Sequence, residues 1–199
     1  QQTTLNRMNE GCLFWVYLGH GHRTHLDQVR TPNGVYDIFK MKDIDSVNCA
    51  EGSPIAVFLS CYAAAFDGPE ASLGETLLHS EQGPVAVIGG SRITMPYAMA
   101  VLGTGMLDGY YRQKKETVGE IFMYGKRQLA NASEKTTNRR LLDMIAVAIS
   151  PAPDKLVEER LEHIDLFNLL GDPLLRLPRP ETIKLESPDF TESGKEIRV

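Results

Sequence analysis

Three stretches of the chain are apolar without the alternation of a half-exposed strand. Residues 11–19 read GCLFWVYLG, a short run of apolar, aromatic and β-branched side chains closed by glycine, which predicts a buried strand. Residues 53–61, SPIAVFLSC, open on a proline and then run apolar, as a strand covered on both faces does. Residues 84–90, PVAVIGG, predict a third strand of the same kind. Between them, Leu73, Leu77 and Leu78 fall at helical spacing within residues 70–83, and Gly83 is the predicted helix stop. Residues 117–132 and 137–149 predict two further helices, TPNG at 31–34 a turn, and 163–178 an apolar segment around a Gly-Asp-Pro turn.

Apolar strands with helices in the gaps indicate an α/β protein with a largely parallel sheet. In such sheets the working residues gather just past the carboxyl ends of the strands. His20 follows the first strand, Cys61 closes the second, and Ser91 follows the third. If the strands are neighbours, these three crowd one edge.

Composition narrows the classes of function. The chain has 199 residues, 42% of them hydrophobic and 24% charged, with a net charge of −5. That balance is typical of a globular protein and gives no electrostatic case for nucleic acid or an anionic membrane as partner. No apolar run approaches the roughly 20 residues that span a bilayer. Three cysteines, Cys12, Cys49 and Cys61, are too few and too odd for a disulfide framework and leave at least one thiol free.

The stretch YLGHGHRTH at 17–25 concentrates three histidines in six residues. His20, His22 and His25 fit H-x-H-x-x-H, which resembles the first ligand cluster of metallo-β-lactamase-type zinc hydrolases. That pattern has an aspartate just before the last histidine, where this chain has Thr24. The other histidines, His79 within a predicted helix and His163, are poorly placed to complete a site. A histidine bracketed by glycines at a strand end also suits a general base, since the surrounding backbone can approach a substrate. Cys61 is the matching nucleophile. It stands at the last position of its strand, followed by Ala63, Ala64 and Ala65, which are expected to leave room over the thiol. Cys12 and Cys49 are assigned to packing.

His20 and Cys61 are separated by 61 − 20 = 41 residues. One Cys/His peptidase family carries its histidine about 50 residues before the cysteine. Such an interval suffices to leave one strand, cross over and return as its parallel neighbour.

YLGHGH, FLSCYAAAFDGPEASLGETLLHSEQGPVAVIGGSR and FNLLGDPLL, in that order over about residues 11–178, resemble the gingipain family of cysteine peptidases. The resemblance implies a caspase-like fold: a three-layer α/β/α sandwich with a mostly parallel sheet. It implies His20 as base and Cys61 as nucleophile. No cofactor and no metal are expected. His22 and His25 acquire no role from it. It also implies strands upstream of the histidine strand that this sequence lacks. The expectation is therefore an incomplete domain over 1–179, completed by an upstream part of the same polypeptide or by another chain. Residues 180–199 would open a following β domain, and a secreted or cell-surface location would follow from the family alone.

In that setting the backbone amides of Gly21 and Cys61 are the expected oxyanion donors. Ser91 is expected to contact the substrate backbone. Arg92, should it point into the pocket, would favour an acidic side chain before the scissile bond; otherwise it is a solvated charge. Asp67 is expected to cap a helix or turn, Glu75 to be a buried hydrogen-bonding carboxylate and Asp172 a turn residue. The expected substrate is a protein or peptide. The alternatives are a zinc hydrolase on the three histidines and a non-catalytic scaffold of the same fold.

Overall fold

The structure, a computed structural model, describes residues 2–131 and 136–179. The tail read as the opening of a β domain, 180–199, lies outside them. In chain order the elements are α1 (Gln2–Asn9), β1 (Phe14–Leu18), β2 (Gln28–Thr31), β3 (Gly34–Asp37), a 3-10 helix (Met41–Ser46), β4 (Ile55–Leu59), α2 (Leu73–Leu78) and β5 (Ala86–Gly90). Then come α3 (Pro96–Tyr111), α4 (Val118–Ala130), α5 (Thr137–Ile149), a short 3-10 turn (Pro153–Lys155), α6 (Leu156–Leu166) and β6 (Phe167–Gly171).

The main sheet has the order β1-β4-β5-β6. β1, β4 and β5 are parallel, and β6 closes the sheet antiparallel to β5. A separate hairpin, β2-β3, turns at Pro32 and Asn33, the predicted TPNG turn. Strand side chains alternate between the faces. Ile55, Val57, Leu59 and Ile88 pack against Leu102 and Met106 of α3 and Ile121 and Phe122 of α4. On the other face Trp15, Ala56, Phe58 and Val87 meet Leu5 and Met8 of α1, Phe39, Ile44, and Leu73 and Leu77 of α2. The result is a three-layer α/β/α arrangement.

β4 and β5 are buried throughout, as their unbroken apolar runs predict. β1 is not. It is an edge strand whose Val16 and Leu18 are 49% and 62% exposed, because only its Trp15 face is covered along its length. α2 is shorter than predicted. It starts at a reciprocal cap in which Ser72 accepts from the Glu75 N–H while the Glu75 carboxylate accepts from the Ser72 N–H and hydroxyl. It ends at His79 rather than at Gly83, so Glu75 is a half-buried capping group.

α3 carries Gly103, Gly105 and Gly109, which weaken any helical signal in the sequence. Packing supplies what propensity lacks. A Cβ on Gly125 of α4 would lie 2.7 Å from Met106 and 3.0 Å from the Leu102 carbonyl, so glycine lets α3 and α4 approach closely.

Candidate active site

The carboxyl ends of β1, β4 and β5 form one rim. Every β1–β4 pair is offset by 41 residues, from Phe14↔Ile55 to Leu18↔Leu59, and His20 and Cys61 share that offset. The ladder continues past the strands, with the Gly19 N–H donating to the Leu59 carbonyl at 3.3 Å. The two residues therefore leave the sheet side by side.

The histidine loop is held from below. The Tyr17 hydroxyl donates to the His20 carbonyl at 2.8 Å and accepts the Asp27 N–H at 3.3 Å. Burial, more than any neighbouring charge, pushes the Tyr17 phenol up, so it stays a neutral donor. The loop closes on itself through the His22 N–H to the His25 carbonyl at 2.8 Å and a bridge between Gly21 and Leu26. Leu26 anchors it in the core, and the His20 side chain is exposed. A Cβ on Gly21 would sit 2.6 Å from the Cys61 carbonyl oxygen and 2.6 Å from the Ser60 Oγ. Glycine is what allows this backbone to lie against the cysteine's own.

Past Cys61 the chain turns sharply. Tyr62 has φ +55°, a left-handed conformation costing a non-glycine residue on the order of 1 kcal/mol. It is fixed by the Tyr62 N–H to the Arg92 carbonyl at 3.1 Å and the Ala64 N–H to the Gly90 carbonyl at 3.0 Å. The turn leaves Cys61 partly exposed at the rim. Ala63 and Ala64 do not clear space above the thiol. Both are fully buried, with Gly74 close to the Ala63 carbonyl and Gly89 close to the Ala64 Cβ. Their smallness serves packing beneath the turn.

The Cys61 sulfur faces the loop after β5. It accepts the Thr94 N–H at 3.3 Å, and the Thr94 hydroxyl lies 3.6 Å away. The thiol can in turn donate to the Thr94 carbonyl at 3.6 Å. Ser91 anchors the start of that loop: its N–H and hydroxyl both donate to the Leu166 carbonyl, at 2.8 and 2.9 Å. Its side chain is thus engaged inside the fold. At the loop's far end the Met95 N–H donates to His163 Nε2 at 2.7 Å, and His163 Nδ1 lies 2.6 Å from the Glu159 carbonyl. Burial pushes the His163 imidazole below its ordinary value, so it stays neutral. Thr94 and His163 carry no motif in the sequence. The only signal for Thr94 in the sequence is its place after the third strand, and for His163 there is none, since the apolar pattern does not mark α6.

Arg92 pairs with Asp67 through both guanidinium nitrogens. The Arg92 hydrogen bond holds the Asp67 carboxyl down at about 2. Both side chains are about half exposed. Arg92 is therefore neither an unpaired cation in a pocket nor a purely solvated one, and Asp67 is an ion-pair partner rather than a helix cap. Asp172 is the turn residue expected, with Oδ1 accepting the Leu174 N–H at 2.8 Å.

His22 and His25 are stacked, with ring centroids 4.8 Å apart and an interplanar angle of 26°. Stacked rings turn their faces to each other rather than converging their nitrogen lone pairs on a common point. Among the described residues no group of three or more His, Cys, Asp or Glu could hold a metal ion. Cys12 and Cys49 lie away from the rim, and burial pushes both thiols up.

The model of peptidase family C25 matches residues 1–178. No curated protein matches the chain. Among solved structures, that of the Arg-specific cysteine proteinase gingipain R superposes with a TM-score of 0.63 at 15% identity, over 88% of this chain and 36% of the other. The complex of the pro- and mature domains of RgpB from Porphyromonas gingivalis gives a TM-score of 0.61 at 16% identity, with the same coverage. A third structure, described as a protease, gives 0.57 at 15% identity over 92% of this chain and 42% of the other. The shared fold is that of a caspase-like α/β/α sandwich. The chain spans between about a third and two fifths of the length of these proteins.

Proposed function

The chain belongs to peptidase family C25, and from that premise we propose that it is a cysteine endopeptidase using Cys61 as nucleophile and His20 as base. The observation that carries this reading is the shared 41-residue offset: His20 and Cys61 each lie two residues past the last paired residues, Leu18 and Leu59, of adjacent parallel strands. An ordinary thiol has a pKa of about 8.5, and the thiolate is the attacking form. His20 takes the thiol proton, Cys61 attacks the scissile carbonyl, and the C–N bond breaks as His20 returns the proton to the leaving amine. Water then hydrolyses the thioester, restoring the thiol and releasing the acid.

The developing oxyanion is met by the amides of Gly21 and Cys61, whose backbones are in contact. Removing one such donor typically costs about 3 kcal/mol of transition-state stabilisation. Ser91 shapes the cleft wall through its grip on Leu166, and its own hydroxyl is spent there. Arg92 and Asp67 present a matched pair of charges near the rim, so neither an acidic nor a basic substrate side chain is strongly selected by Arg92 alone.

We assign residues 1–179 to the peptidase domain. A further part of the same polypeptide, or a partner chain, supplies the remaining wall of the cleft, consistent with the exposed edge of β1.

The test is Cys61→Ala. It should abolish both cleavage of a peptide library and labelling by a thiol-reactive peptide inhibitor. Labelling that survives the substitution would overturn the assignment. A wild-type chain that cleaves nothing, with Cys61 unreactive, would mark a scaffold of the same fold.

A further inference from the structure

Taking Cys61 as the nucleophile proposed above, we infer that His163 is a positioning residue for it: the imidazole fixes the loop after β5 so that the Thr94 N–H stays aimed at the Cys61 sulfur and stabilises the thiolate. His163 lies in α6, far along the chain from both strands of the dyad, yet two consecutive amides link it to the sulfur. The Met95 N–H donates to His163 Nε2 at 2.7 Å, and the Thr94 N–H donates to the Cys61 Sγ at 3.3 Å. The tautomer follows from the network. Nε2 must accept from Met95, so Nδ1 carries the proton and donates to the Glu159 carbonyl at 2.6 Å.

The imidazole is 1% exposed, so this acceptor has no water to replace it. The groups facing it are the Glu159 carbonyl, the Phe167 ring stacked at 6.1 Å, and the carboxylates of Glu159 and Glu162. The Glu159 carboxylate is itself occupied by the Ala98 N–H at 3.0 Å. The other end of the loop is tied to the same α6–β6 segment, through the two bonds from Ser91 to the Leu166 carbonyl. Held at both ends, Thr94 is 5% exposed, with its hydroxyl on the Met99 sulfur at 3.2 Å. An N–H aimed at sulfur favours the anion over the thiol, and a hydrogen bond to a charged acceptor is about twice as strong as one to a neutral acceptor.

The experiment measures alkylation of the Cys61 peptide by iodoacetamide from pH 5 to 9, followed by mass spectrometry, so that Cys12 and Cys49 do not contribute. His163→Leu removes the acceptor, frees the loop and should slow alkylation of Cys61 by about tenfold at pH 7. His163→Gln offers an amide oxygen to the Met95 N–H and should bring the profile back most of the way. A folded His163→Leu variant with the wild-type profile would overturn the proposal. If that variant does not fold, the wild-type chain still decides. The Thr94 amide proton should shift as Cys61 ionises and cease to shift once Cys61 is blocked with methyl methanethiosulfonate. A Thr94 amide indifferent to Cys61 would overturn it equally. Neither measurement uses peptide cleavage. A chain that cleaves nothing but shows these shifts loses the peptidase reading and keeps this one; a cleaving chain without them does the reverse.

Discussion

Cys49, near the amino ends of the strands, is 2% exposed in an apolar cluster with Trp15 and Phe39, and burial pushes its thiol up. Cys61, past the carboxyl end of β4, is partly exposed, turns away from the core through the left-handed Tyr62, and receives the Thr94 N–H on its sulfur. The residue type is the same; the end of the sheet differs. Parallel strands deliver their carboxyl ends to loops that are free to carry polar donors. The amino ends here are drawn together by backbone: a Cβ on Gly11 would lie 2.9 Å from the Glu51 carbonyl carbon. On the function proposed above, a thiol becomes a tool or a piece of core according to which end it occupies.

The sharpest way to break this comparison is to remove the proposed proton acceptor at the carboxyl end. His20→Ala should lower kcat/KM by about 10²–10⁴, the usual contribution of a positioned base. Cys12→Ser at the other end should leave it within about twofold, as surface-proximal changes away from a site do. Parallel steady-state kinetics on one peptide substrate would check both. Equal losses in the two variants would mean that the rim holds no privileged chemistry.

A smaller effect is expected from Gly21→Ala. The added Cβ would strike the Cys61 carbonyl and the Ser60 Oγ at 2.6 Å, so the histidine loop must shift outward. Displacing a catalytic group by about 1 Å can cost on the order of a hundredfold. The fall should appear in kcat and exceed any accompanying loss of stability, since the clash falls on the Cys61 backbone and the buried Ser60. A loss of stability without loss of kcat would show that Gly21 serves the fold and not the dyad.

How much of this was open to reading in the chain itself depended on where the information lies. β4 and β5 are covered on both faces, so their apolar runs are unbroken and legible. The nearness of the segments carrying His20 and Cys61 is legible because a parallel register converts sequence spacing into neighbourhood. α3 was not, because its glycines answer to Gly125 and Tyr124 on a helix that follows it, a demand made by packing and not by propensity. Thr94 and His163 were hidden for a related reason. Their partners are 33 and 68 residues away, and a backbone N–H donor leaves no trace in side-chain identity. Ser91 and Ala63 are ambiguous in the sequence, since a hydroxyl and a small side chain at a strand end serve packing as readily as substrate.

The comparison sharpens again when the three thiols compete for one reagent. Thiolate is the reactive form, and desolvation pushes the half-buried Cys12 and the buried Cys49 away from it. Limiting iodoacetamide at pH 7.5 should therefore modify Cys61 roughly tenfold faster than Cys12 or Cys49. Peptide mapping of the alkylated chain reads the order directly. Cys12 reacting first would remove the claim that the carboxyl rim is the reactive end.

The smallest effect concerns the charges beside the rim. Asp67 and Arg92 neutralise each other, and each is about half exposed, so solvent screens the pair and its worth to stability is small. Its influence on substrate choice should be easier to detect. Asp67→Ala leaves Arg92 unpaired and should shift cleavage toward peptides with an acidic residue before the scissile bond, by about threefold to tenfold for one partly screened charge. Arg92→Ala frees the carboxylate and should shift it toward basic residues. The pH dependence carries the matching sign. The Asp67 carboxyl is held down to about 2 from an ordinary 3.8, so the pair is intact above 3.8 and fails only as pH falls toward 2. His163 acts in a different window, because burial favours its neutral form: its contribution is full above the ordinary 6.5 and declines as pH drops below it. Between about pH 6.5 and 5.5, where acidic peptide side chains stay ionised, a profiled substrate preference should hold steady while stability falls. A preference that drifted in that interval would tie specificity to the buried imidazole and not to the ion pair.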